Sequence, residues 1–283
     1  MPLTLFERLH LYKASLIQFL IASDTIFLLT EMPGNIGDHL IQLGSERILN
    51  EIGCEIHRIA TSEVVGSKSK SRSRGTLVVP GSGAFVQEFH EWLPDLVSRA
   101  STQFDRVLVL PSEFEIDLFQ VSNAFSKDNV FVCARDAVSF RQIRTFGGSS
   151  LALDPALYAF DFVLPDESKA EKLDTENYFL ALRTDTASLL EPTRLQNAEN
   201  NNDISLTSHD LTQFIDTIRS TSTVVTDRLH IVVASVMLGK NVNFINPKNY
   251  KISCYIQFSF RDEFDKQIRE RDVSWLVEKG LLE

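Results

Sequence analysis

The segment Thr226-Asp227-Arg228-Leu229-His230 sets an arginine and a histidine where a strand pattern, TVVT, gives way to a helix pattern, LHIVVASVMLG. A helix that apolar has to be buried, so its first turn lies at a sheet edge with unsatisfied backbone N–H groups. Their partial positive charge attracts an anion and makes an unliganded imidazole reluctant to protonate. A bound anion reverses that balance, which suits His230 to act as a general acid. Arg183, directly after the strand pattern YFLAL, offers a planar fork matched to phosphate or carboxylate. An ordinary surface arginine is the alternative reading of that position.

Gly34-Asn35-Ile36-Gly37-Asp38-His39-Leu40-Ile41 also lies between a strand pattern and a helix pattern. Its glycines permit a tight turn and close approach of a ligand, and the helix start offers N–H groups to an anion. Asp38 either caps the helix or takes a proton from a hydroxyl. The spacing fits neither GxGxxG nor a Walker loop, so no nucleotide is indicated. Pro80-Gly81-Ser82-Gly83-Ala84-Phe85 repeats the strand–glycine–helix order, with structural use of the glycines competing against ligand binding. In Ala134-Arg135-Asp136-Ala137 the aspartate stands where a helix N-terminus favours a carboxylate. Arg135 is read first as half of a structural ion pair and second as an anion contact. Asp154-Pro155-Ala156 reads as a turn. The acidic residues show no metal-ligand spacing, and no cofactor is indicated.

Each of these segments depends on a strand that ends just before it. Thr25–Thr30, Glu55–Thr61, Thr76–Val79, Arg106–Leu110 and Val130–Ala134 read as strands, with helices over Asp38 to about Asn50 and Phe85 to Ala100. Continuous apolar runs separated by helices are the pattern of a parallel sheet covered on both faces. The polar, basic stretch Gly66–Gly75 reads as a loop, the first domain closes near Asp154-Pro155-Ala156, and Leu164–Asn177 reads as a linker. A second alternation follows: strand Tyr178–Leu182, loop Leu190–Asp203, helix Leu211–Arg219, strand Thr223–Thr226, helix Leu229–Leu238 ended by Gly239, strand Val242–Ile245 and a helical tail. The expected fold class is therefore α/β, with two Rossmann-like domains, residues 1–163 and 164–283, facing across a cleft. Ligands in such folds bind beyond the carboxyl ends of the strands.

A chain of 283 residues with 43% hydrophobic and 23% charged residues suits two globular domains. Its net charge of −10 repels nucleic acid and anionic membrane on average, so no nucleic-acid partner is expected and charge for an anionic substrate has to be local. Cys54, Cys133 and Cys254 are far apart and odd in number, against a disulfide framework or structural zinc and in favour of a reducing, cytoplasmic setting. Charged residues interrupt the apolar N-terminus, and the uncharged stretch Ala14–Ser23 is too short to span a bilayer. Lys68, Lys70, Arg72 and Arg74 alternate with serines; the loop reads as solvated. Contact with lipid headgroups at the inner face of the plasma membrane, or with an acidic polymer, is the alternative.

Taken in order, GNIGDHLI, PGSGAF, ARDAVS, DPA, LRTD and TDRLHIVVASVMLG, followed by VNFI and Asn249-Tyr250-Lys251, resemble the polysaccharide pyruvyl transferases over residues 34–258. Relatives commonly carry three glycines where this chain has PGSG. The resemblance implies a GT-B-like architecture of two Rossmann-type domains, the first on the acceptor side and the second on the donor side. It implies phosphoenolpyruvate as donor and a hexose of a surface polysaccharide or lipid-linked precursor as acceptor, joined as a cyclic pyruvate ketal with release of phosphate. Arg228, His230 and, by position, Arg183 would then bind the donor, with His230 as general acid and Asp38 or Asp136 as base. Asn35, Gly37, Gly81, Ser82, Gly83, Arg135 and Leu229 complete the expected substrate contacts. A nucleotide-sugar glycosyltransferase and a non-catalytic glycan-binding protein are the competing functions, because the same cleft serves both.

Overall fold

The computed structural model describes residues 3–20, 25–30, 34–66, 73–83, 85–86, 92–115, 123–160, 178–185, 188–190, 200–247 and 251–282. They form two compact units, Met1–Gly34 with Asp38–Ala159, and Asn35–Gly37 with Phe160–Glu283.

In the first unit the elements run α1 (Leu5–Leu20), β1 (Ile26–Thr30), α2 (Ile36–Glu51), β2 (Ile56–Ala60), α3 (Thr61–Gly66), β3 (Ser73–Val79) and β4 (Phe85–Val86). They continue through α4 (Trp92–Gln103), β5 (Phe104–Ser112), β6 (Phe114–Glu115), β7 (Val130–Ala134), α5 (Ala137–Ile143) and β8 (Ser149–Leu151). Six strands make a parallel sheet in the order β2-β1-β3-β5-β7-β8. Leu77, Val79, Val107, Val109 and Val132 are buried in one core with Leu93, Leu96 and Val97 of α4. The apolar runs are continuous because these strands are covered on both faces.

Two expectations fail here. Phe85 does not open a helix; Phe85–Val86 pairs in parallel with Phe114–Glu115, and the helix starts at Trp92. The cause is aromatic packing: Phe85 is fully buried, with ring centroids 4.9 Å from Phe114 and 5.6 Å from Phe125. Ser73–Gly75, expected in the basic loop, belong to β3, where the Gly75 N–H donates to Asp105 Oδ2 at 2.9 Å. Residues 67–72 of that loop lie outside the described residues.

The second unit holds β9 (Tyr178–Ala181), α6 (Ile204–Thr207), α7 (Leu211–Arg219), β10 (Thr223–Thr226), α8 (Leu229–Met237), β11 (Asn241–Ile245), α9 (Lys251–Ser259), β12 (Ile268–Arg271) and α10 (Val273–Glu278). Its four strands are parallel in the order β12-β11-β10-β9. All of α8 but His230 is buried. The helix ends at Gly239, whose φ of 72° lets its N–H reach Val236 O at 2.9 Å and the Lys240 N–H reach Ser235 O at 2.8 Å, a Schellman cap. The tail is not all helical: Ile268–Arg271 adds an edge strand beside β11. Its sequence, IRER, has one apolar residue because the edge is half exposed. The expected linker and most of the 190–203 loop, like Asn249 and Tyr250, lie outside the described residues. Among the described residues no helix is long and apolar enough to cross a membrane.

Candidate active site

At the carboxyl edge of the second sheet, β9 and β10 run level, Ala181 opposite Thr226. Thr226 Oγ1 locks the pair by donating to Ala181 O at 2.7 Å, and it accepts the Arg228 N–H at 3.0 Å. The chain beyond β9 therefore passes beside the start of α8. The Arg183 N–H donates to Asp227 Oδ1 at 2.7 Å, and the Ser188 hydroxyl donates to Asp227 Oδ2 at 3.1 Å.

Both predicted anion-binding arginines lie here, and both are held by carboxylates. Arg228, 5% exposed, donates through Nε to Asp203 Oδ1 at 3.0 Å, makes a second close contact to Asp203 Oδ2, and reaches Asp185 Oδ2 at 3.0 Å. Arg183 forks onto Asp185, Nε to Oδ1 at 2.9 Å and a terminal nitrogen to Oδ2 at 3.1 Å. Asp203 also accepts the Thr184 N–H at 3.2 Å. Burial alone would lower the Arg228 pKa; Asp203, Asp185 and Asp227 more than reverse that and raise it. For Asp227 burial dominates and pushes its carboxyl up to about 6, against the lowering effect of the Arg183 N–H and the two guanidinium charges.

His230 stands in the first turn of α8, half-buried, beyond the buried Leu229. Asn35–Gly37 group with this unit, and the geometry shows why. A Cβ built on Gly37 would stand 2.8 Å from both Cβ and Nδ1 of His230. Only a residue without a side chain admits the imidazole at that distance. Asn35 fixes the turn by accepting the Gly37 N–H on Oδ1 at 2.8 Å. Asp38, one residue on, folds its carboxylate back over Gly34. Two motifs separated by nearly two hundred residues of sequence thus meet at one histidine.

The carboxyl edge of the first sheet gathers PGSG, ARD and DPA, and there the structural readings hold. Arg135 is 2% exposed and ion-paired to Glu113 Oε2 at 2.6 Å and to Asp154 Oδ2 at 3.2 Å. Asp136 is the N-cap of α5, accepting the N–H groups of Val138 and Ser139 at 2.9 and 2.8 Å and the Ser139 hydroxyl at 2.8 Å. Buried and committed to these bonds, it is not carried forward as a base. Asp154 makes its turn through the Ala156 N–H at 2.9 Å. Gly81 is small because a Cβ there would fall 2.3 Å from Pro111 O, whereas one on Gly83 would meet Arg135 only at 3.7 Å. Ser82 is tied to the sheet by donating its N–H to Ser112 Oγ at 3.0 Å.

A family described as polysaccharide pyruvyl transferase matches residues 35–249. The chain belongs to that family. The match begins at Asn35, where the chain enters the second unit, and covers every residue of both sheet edges named above. Pyruvyl transferases are transferases, and their name gives polysaccharide as the acceptor class. The crystal structure of an uncharacterized protein from Klebsiella pneumoniae subsp. pneumoniae NTUH-K2044 is similar to this chain: TM-score 0.71 and 20% identity, over 94% of this chain and 98% of the other. At that identity the likeness speaks to fold. Comparison with curated proteins gave no match.

Sequence reasoning missed the acids of both edges. Glu113 and Asp203 each pair with an arginine distant in the chain, 22 and 25 residues away, whereas Asp185 pairs with Arg183 two residues before it as well as with Arg228. Glu113 had a local signal, an acid directly behind the apolar run RVLVLPS; Asp203, at the end of an asparagine-rich stretch, had none.

Proposed function

We propose that this pyruvyl transferase moves the enolpyruvyl group of phosphoenolpyruvate onto a hexose of a surface polysaccharide or lipid-linked precursor, as a cyclic ketal. The contact of Gly37 with His230, beside the arginine pair, carries this reading. It joins a proton carrier to two cationic forks at a single sheet edge, which is what a small donor with phosphate and carboxylate groups requires.

In this reading Arg183 and Arg228 hold the donor's anionic groups, and His230, protonated once the anion is bound, delivers its proton to the methylene carbon. The C=C π pair forms the new C–H bond and leaves an oxocarbenium-like C2, which one sugar hydroxyl attacks. A second hydroxyl then displaces phosphate. One hydroxyl proton passes by way of the base to restore His230 and the other leaves with phosphate, so a cyclic pyruvate ketal and hydrogen phosphate result. The arginines stay charged throughout and stabilise the changing charge without reorganising. Asp38, near the entry of α2, is the proposed base on the acceptor hydroxyl. Residues 1–163 are proposed to take the acceptor and 164–283 the donor, as the halves of a GT-B arrangement, in the cytoplasm and in peripheral contact with the membrane that carries the acceptor.

The test is mass spectrometry of candidate glycans incubated with phosphoenolpyruvate, with the pyruvate ketal as the expected adduct. His230→Ala is expected to abolish the adduct while leaving the thermal melt unchanged. Near-wild-type turnover by that variant would reject the assignment, and adduct formation only with nucleotide sugars would reject the donor.

A further inference from the structure

We infer that Asp185 is a built-in stand-in for the substrate anion: its carboxylate occupies the position between Arg183 and Arg228 and has to leave before a phosphate or carboxylate can bind. The inference rests on the proposed reading only for the identity of that anion. Asp185 lays both oxygens along the Arg183 fork, at 2.9 and 3.1 Å, and shares one with Arg228 at 3.0 Å. Those parallel N–H donors are the ones an incoming carboxylate or phosphate would use.

Of the two acids on Arg228, Asp185 is the more exposed. The Asp203 side chain is 3% exposed and is pinned by the Thr184 N–H as well as by Arg228 Nε. The Asp185 side chain is 37% exposed, so its carboxylate recovers much of its hydration on turning outward. Charge points the same way. With Asp185 in place two guanidinium groups share three carboxylates, Asp185 and Asp203 in ion pairs and Asp227 through the field of both charges. Such a cluster repels a dianion. With Asp185 turned away the same cluster is balanced, the Arg183 fork opens to solvent-supplied anions, and Arg228, still paired with Asp203, adds its charge from beside it. Asp185 thus keeps two cations satisfied in the empty protein and sets the threshold affinity that a donor has to exceed.

Calorimetric titration of wild type, Asp185→Asn and Asp185→Ala with inorganic phosphate at fixed ionic strength tests this. Both variants remove the carboxylate, so a folding failure in one leaves the other to report. Phosphate binding roughly fivefold tighter than wild type is expected, the worth of a partly exposed charge pair. Unchanged or weaker affinity, or no binding by any of the three proteins, would overturn the inference and make Asp185 a structural brace. Phosphoenolpyruvate turnover with a glycan acceptor, scored on the same samples, separates the two ideas. Tighter phosphate binding without turnover removes only the pyruvyl-transfer reading, and turnover with unchanged phosphate affinity removes only the role of Asp185.

Discussion

Gly37 abuts His230 so closely that no side chain fits between them, with 2.8 Å separating a built Cβ from the histidine's own Cβ and Nδ1. The glycine belongs to the second turn position of α2, and the histidine to the first turn of α8. Replacement by alanine therefore sets two effects against each other. Alanine gains about 1 kcal/mol of helix propensity over glycine, while the new methyl has to push the imidazole or its helix aside. The clash involves Cβ of His230, which cannot rotate away, so displacement wins.

Gly37→Ala is expected to lower kcat by about a hundredfold, the usual consequence of moving a reacting group by roughly an ångström. Affinity for phosphoenolpyruvate should change by only a few-fold, because the arginines proposed to hold it are untouched. Steady-state kinetics and equilibrium titration together check this. A kcat within threefold of wild type would show that the contact does not position the imidazole.

Asp227 gives the folded protein a defined pH dependence. Its carboxyl is raised from an ordinary 3.8 to about 6 by burial. The folded state therefore binds the proton more tightly than the unfolded chain does. Its contribution to stability is present below pH 4 and is lost as pH rises through 6. Asp227→Asn keeps an oxygen to accept the Arg183 N–H and has no proton to lose. The unfolding free energy of the variant minus that of wild type should rise between pH 4 and 6 by about 2 kcal/mol. Urea denaturation across that range measures it; a flat difference would contradict the perturbed carboxyl.

Arg135 separates a structural role from a substrate-binding one. Its guanidinium neutralises two buried acids, Glu113 and Asp154. Arg135→Leu leaves both carboxylates buried without their cation, which should cost about 3–5 kcal/mol of folding free energy. Donor affinity of the fraction that remains folded should match wild type. Chemical denaturation and titration with phosphoenolpyruvate read the two effects separately, and a stable variant with weakened donor binding would restore Arg135 as a ligand contact.

The parts of the fold legible in the sequence are those whose physics is local. VFVCA and TVVT read as strands at their observed bounds because parallel strands buried on both faces must be apolar throughout. LHIVVASVM reads as a buried helix with a glycine stop for equally local reasons. Two of the edge strands were opaque. β8 is SSL and β12 is IRER, and strands half exposed at a sheet margin need no apolar run. Phe85 was misread because what decides its conformation is Phe114 and Phe125, far along the chain. The two edges carrying candidate chemistry divide the same way. Arg183, Arg228 and His230 announce themselves by standing at strand ends, but Asp203, which holds Arg228, is set by a tertiary contact with no sequence signature.

The all-round burial of α8 has a consequence for altering this protein. A helix wrapped on every side can neither roll nor slide without opening gaps as large as a methyl group, so substitutions that leave Gly37 and the α8 packing intact inherit the same placement of the imidazole. Randomised libraries aimed at a new sugar can leave Leu229–Met237 and Gly37 untouched.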